Sequence, residues 1–153
     1  MGFLHSLFGR KTSPPASEPD AIKDAIERLS GFCRDVMRQF GESAFERDSM
    51  ERQVLSVYAF GGVHVLCQQN GFQPAEGHAL ILALNFKFFG YSAEESAIKA
   101  QALIVASGDR ASTLNAIIHR GVDGFLAWKA DRDSFDAADF KSVIETLRES
   151  RPA

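Results

Sequence analysis

From Asp20 onward, large apolar residues recur at steps of three and four, with polar or charged residues between them. That spacing lays one apolar stripe along an α-helix. No run alternates in the way a half-buried strand requires, and no Asn-Gly hairpin is flanked by strand pattern. Six helices follow. The first runs from Asp20 to Phe40, with Ile22, Ile26, Leu29, Phe32, Cys33, Val36 and Met37 inward and Gly41 as its stop. The second runs from Ser43 to Gln69; it is polar at first and apolar nearly all round from Val54, with Gly61-Gly62 inside it. The third runs from Pro74 to Phe89. It is the most apolar element and therefore the expected centre. The fourth opens at Ser92 with the capping box Ser92…Glu95 and ends at Gly108. The fifth covers Asp109–Ala130 and the sixth Asp136–Glu149. Gly71-Phe72…Glu76 and Gly90-Tyr91…Glu95 repeat one joint: a glycine stop, an aromatic folded back on the preceding turn, and an acid in the next first turn. The expected fold is all-α, a single orthogonal or antiparallel bundle of about six helices over residues 20–150.

Residues 1–19 stand apart. RKTSPPASEPD, residues 10–20, holds three prolines and no large apolar side chain, so it reads as a linker behind a short disordered tail. In that tail Phe3, Leu4, Leu7 and Phe8 share one face of a two-turn helix; two turns are too short to insert stably, so the stripe is expected to fold back on the domain or fray, with weak contact with a membrane surface as the alternative. MGFLHSLFGRK lacks the early basic residues of a secretory signal, and no apolar run reaches the roughly 18–20 residues that span a bilayer. The expected location is the cytoplasm.

The chain has 153 residues, room for one ordinary domain. Seventeen Lys+Arg against 20 Asp+Glu give a net charge of −3, too mild to point to nucleic acid or an anionic membrane. The 13 Phe against 2 Tyr and 1 Trp point to a core rich in rings without polar handles, with Phe32, Phe40, Phe60, Phe86, Phe89, Phe125 and Phe140 on inward stripes. Cys33 and Cys67 lie among apolar helical residues and read as buried free thiols.

Candidate chemistry is sparse. His64 and Cys67 share a helical face, but no HExxH or CxxC completes a metal site, so the pair is expected to pack in the buried half of the second helix. Asp131–Asp139 fails as a calcium loop: Phe135 replaces an oxygen ligand, Asp136 the turn glycine and Ser142 the bidentate acid. His78, Asn85 and Lys87 interrupt the third helix and are expected at its rim with satisfied hydrogen bonds. No catalytic constellation and no cofactor is called for. What remains is an acidic surface made of Glu94, Glu95, Asp123, Asp131, Asp133, Asp136 and Asp139, suited to a basic protein partner.

From Ser43 to Asp133 the chain resembles small bacterial immunity proteins of polymorphic and type VI secretion toxins. The resemblance rests on Tyr58-Ala-Phe-Gly-Gly62, on Phe89-Gly-Tyr-Ser92 leading into Ala97, and on His119-Arg-Gly-Val with Trp128 following. It implies a cytosolic, non-catalytic protein that covers a cognate toxin. A second resemblance, through MGFLHSLFG and Asn70-Gly71…Glu76, is to TerB-type tellurite-resistance domains. It implies a small metal- or ligand-binding stress protein, although Asn70 stands where that family has Asp.

Overall fold

Local signals set most helix ends. The computed structural model describes residues 19–150. Helix α1 is Pro19–Phe40, α2 Met50–Asn70, α3 Pro74–Ala83, α4 Ala93–Ser107, α5 Thr113–Ala130 and α6 Ala138–Glu149; no strand occurs among the described residues. Both expected glycine joints form. Gly71 has φ 64° and Gly90 φ 72°, the left-handed conformation that glycine adopts without steric cost. Each is followed by a buried ring, Phe72 or Tyr91. The amide of Phe72 donates to the Cys67 carbonyl at 3.0 Å, closing the end of α2. At the start of α4, Ser92 Oγ accepts from the Glu95 amide at 3.0 Å, and Glu95 Oε1 accepts from the Ser92 amide at 2.9 Å.

Three boundaries differ from the periodicity. Helix α2 starts at Met50, with Ser49 Oγ accepting from the Arg52 amide, rather than at Ser43. Residues 42–44 form one 3-10 turn instead, because Phe45 turns into the core, where its ring lies 5.5 Å from Phe40 and 6.1 Å from Phe140. Helix α5 starts at Thr113 under a Ser112 cap, and Asp109 forms the preceding turn by accepting from the Ala111 amide. The third helix changes gauge: Leu84–Phe88 is a π turn, closed by the Phe89 amide on the Leu84 carbonyl at 3.1 Å. The wider turn accommodates an extra residue and re-aims the side chains along it. Leu84 and Asn85 are buried, whereas Phe86 is 53% exposed, contrary to its expected inward place.

The centre is α2, not α3. Its two glycines meet two on α5. A β-carbon on Gly61 would overlap the backbone of Val122, and one on Gly121 would overlap the Tyr58 carbonyl. The helices therefore touch backbone to backbone. They run in the same direction, since Gly61 faces Gly121 and, eight residues further along both, Gln69 meets Lys129. Phe32 of α1 covers this crossing, with ring centres 5.9 Å from Tyr58, 5.3 Å from Phe125 and 5.7 Å from Trp128. Helix α6 closes the other side through Phe140, 5.2 Å from Tyr58. Helix α4 packs on α3 and α5 and buries Ser96, Ala100, Leu103 and Ala106.

Candidate partner-binding surface

The acidic residues divide by what they already do. Asp139 is half-buried. It accepts from the Tyr58 hydroxyl at 2.9 Å and from Arg120 Nε at 2.8 Å, so it braces α6 against α2 and α5. Burial first, and then the Asp139 carboxylate, push the Tyr58 hydroxyl pKa upward. Asp131 accepts from the Ser134 amide at 3.3 Å and Asp136 from the Ala138 amide at 2.9 Å; both hold the α5–α6 turn. Hydrogen bonds from Ser134 hold the Asp131 carboxyl below its ordinary value. Glu95 caps α4 and lies 3.5 Å from Arg47. Its pKa is lowered by those Ser92 hydrogen bonds. Among the described residues, Glu94, Asp123 and Asp133 are exposed and have no side-chain hydrogen bond or ion pair. Of seven acids, these three keep a free carboxylate for a partner.

A different surface is more unusual. Five large apolar residues are exposed among the described residues, and four of them are on α4 or the π turn: Ile98 at 64%, Val105 at 63%, Phe86 at 53% and Ile104 at 40%. Steps of four, three and four place Glu94, Ile98, Gln101 and Val105 on one stripe, with Ala97 and Ile104 beside it. This stripe faces away from the buried Ala100 and Leu103. Single exposed apolar residues are ordinary; a group of them on one helix is a candidate interaction surface. The sequence carried the signal. Residues 96–108 contain a single charged residue, Lys99, and more apolar side chains than one buried face can use. Lys99 is turned over the Tyr91 ring, 4.5 Å from its centre.

Of the three grooves lined in part by α4, two bear on this surface and on the sequence's candidate residues. One, of about 350 Å³, lies between Leu82, Ala83 and Phe86 on one side and Ala93, Ser96 and Ala97 on the other. Ser96 is 1% exposed, and its Oγ has no hydrogen-bond partner. The other, of about 490 Å³, holds Phe60, His64, Cys67, His78 and Ile104. His64 is exposed rather than packed in the core as expected, with its ring against Phe60 at 4.6 Å. Partial burial and the charge of His119 lower its pKa. Burial, with a contribution from Glu76, pushes the Cys67 thiol up to about 11. Among the described residues no three His, Cys, Asp or Glu side chains converge in a way that could hold a metal ion. His78 and Lys87 are exposed, as expected of rim positions, but Asn85 is buried and its Nδ2 has no partner. The reason is the π turn, which points Asn85 inward.

Phe3, Leu4, Leu7 and Phe8 lie outside the described residues. Among the described residues no helix is long and apolar enough to cross a membrane. A comparison with protein families matches residues 22–148 to the family described as Immunity protein 48. No curated protein and no solved structure matches.

Proposed function

The chain belongs to the immunity protein 48 family, and from that membership we propose that it protects a bacterial cell by binding a cognate protein toxin in the cytoplasm and covering its working surface. The family match over residues 22–148 carries this reading, because it takes in all six helices. In this reading the chain needs no chemistry of its own. It supplies a rigid scaffold, whose α2–α5 contact is backbone to backbone, and an exposed face. Glu94, Asp123 and Asp133 supply negative charge at the rim of the interface, where charge speeds encounter and rejects wrong partners. Glu95, Asp131, Asp136 and Asp139 contribute field rather than free hydrogen-bond acceptors, since each is engaged within the fold.

The test is protection. Co-expression of the chain with the toxin encoded beside it restores growth, and the two purified proteins form a complex that buries at least a standard interface of roughly 1,200–2,000 Å². Growth arrest that the chain does not relieve, together with no complex, overturns the reading.

A further inference from the structure

Resting on that toxin-binding reading, we propose that the toxin docks on the outer face of α4 and the π turn. It would seat an aliphatic or aromatic side chain between Phe86 and Ala97 and bring Lys or Arg against Glu94. Three observations converge there. The first is apolar exposure. Phe86, Ile98 and Val105 each leave more than half of their surface in water, with Ile98 and Val105 on the side of α4 opposite its buried Ala100 and Leu103. Burying such side chains in a partner is favourable by the same effect that builds a core.

The second is the groove of about 350 Å³ between Leu82, Ala83 and Phe86 on one side and Ala93, Ser96 and Ala97 on the other, which has room for an apolar side chain. The Ser96 hydroxyl is closed to solvent, so the lining a partner meets there is apolar.

The third is charge. Glu94 begins the same stripe as Ile98 and Val105 and is unpaired among the described residues. Lys99 lies on the Tyr91 ring and Arg47 beside Glu95, while Lys87, next to Phe86 on the π turn, is exposed and has no side-chain hydrogen bond or ion pair among the described residues. The free charges are therefore Glu94 on the stripe and Lys87 on the π turn, and their complement is an apolar partner surface with a cation against Glu94 and an anion against Lys87.

The full-length chain is titrated with an inactivated variant of the toxin encoded beside it, as wild type, Ile98→Asp, Glu94→Lys and Glu145→Lys. Ile98→Asp is expected to weaken binding roughly 30-fold or more, the size of a hot-spot loss. Glu94→Lys slows association, most at low salt. Glu145→Lys, exposed on α6, changes affinity less than about 3-fold. All variants should keep the wild-type circular dichroism and melting temperature; Val105→Asp replaces Ile98→Asp should the latter melt early. A folded Ile98→Asp chain that binds as tightly as wild type overturns this surface and leaves toxin binding standing. A wild type that neither binds nor protects overturns toxin binding itself. A wild-type dimer that Ile98→Asp renders monomeric assigns the face to a second copy, and faster hydrogen exchange along α4 on removal of residues 1–18 assigns it to the chain's own N-terminal segment. Either result overturns the proposal.

Discussion

Gly121 of α5 packs so closely on the carbonyl of Tyr58 in α2 that a β-carbon there would fall inside the van der Waals envelope of that oxygen. The obstacle is backbone on a buried helix, so no rotamer change relieves it. Gly121→Ala must push the two central helices apart. It is expected to destabilise the fold by about 3 kcal/mol or more, at the upper end of overpacking costs. At Gly108, after α4, the backbone is helical and the nearest atom to an added β-carbon is 3.7 Å away. Gly108→Ala is expected to be neutral or stabilising by about 0.5 kcal/mol, through lost freedom of the unfolded chain. Urea unfolding of both variants checks the contrast; equal midpoints would mean that the crossing is looser than described.

Tyr58 also ties α2 to α6 through its hydroxyl, which donates to Asp139 at 2.9 Å. Tyr58→Phe keeps the ring and removes that bond, at a cost of about 1 kcal/mol. Arg120, the other partner of Asp139, is 46% exposed. Arg120→Ala is therefore expected to cost less than about 1 kcal/mol, and less still in high salt. A Tyr58→Phe chain as stable as wild type would show that water replaces the bond without loss.

Asp35 supplies an acid-sensitive link. Its carboxylate accepts from the Trp128 indole at 2.7 Å and from Arg132 at 3.3 Å, and pairs with Arg38 at 2.9 Å. Partial burial works to raise its pKa, but the Trp128 hydrogen bond, Arg132 and Arg38 together hold it below the ordinary value. A carboxyl lowered on folding stabilises above its unfolded pKa, and that contribution fades as pH falls through the folded one. Stability is therefore expected to fall below about pH 4, and Asp35→Asn to flatten that slope while losing stability at pH 7. Melting temperatures from pH 2.5 to 7 test this. A variant with an unchanged acid slope rejects Asp35 as the group responsible.

The two thiols are expected to react at different rates. Cys33 is fully buried, which pushes its pKa well above the thiol range. Cys67 is half-buried, with a pKa of about 11. At pH 7.5 a disulfide reagent should modify Cys67 slowly and leave Cys33 untouched until the chain unfolds, because the thiolate is the reactive form. Two fast equivalents in the native protein would contradict the packing.

Features made of neighbours in sequence were legible. The Ser92/Glu95 capping box needs residues three apart, and both Gly-aromatic joints need only a left-handed residue and the ring after it. Phe45 and the π turn were not legible in the same way. Phe45 ends its segment's helical course because Phe40 and Phe140 offer it a core position, and Phe140 is far away in the chain. The π turn moved Phe86 outward, into the candidate surface, and Asn85 inward. The acidic residues looked alike in the sequence. Hydrogen bonds with Tyr58 and Arg120, neither of them local to α6, made Asp139 a brace and left Glu94 free.

The sequence alone determined the helical class, the helix order and most caps, because periodicity and turn chemistry are local properties written into adjacent residues. Only the tertiary structure decided which helix is central and which apolar residues stay in water. Those outcomes depend on the meeting of Gly61 with Gly121, and on which side of α4 the other helices cover. Burial is a property of the partners a side chain meets, and those partners are distant in the chain.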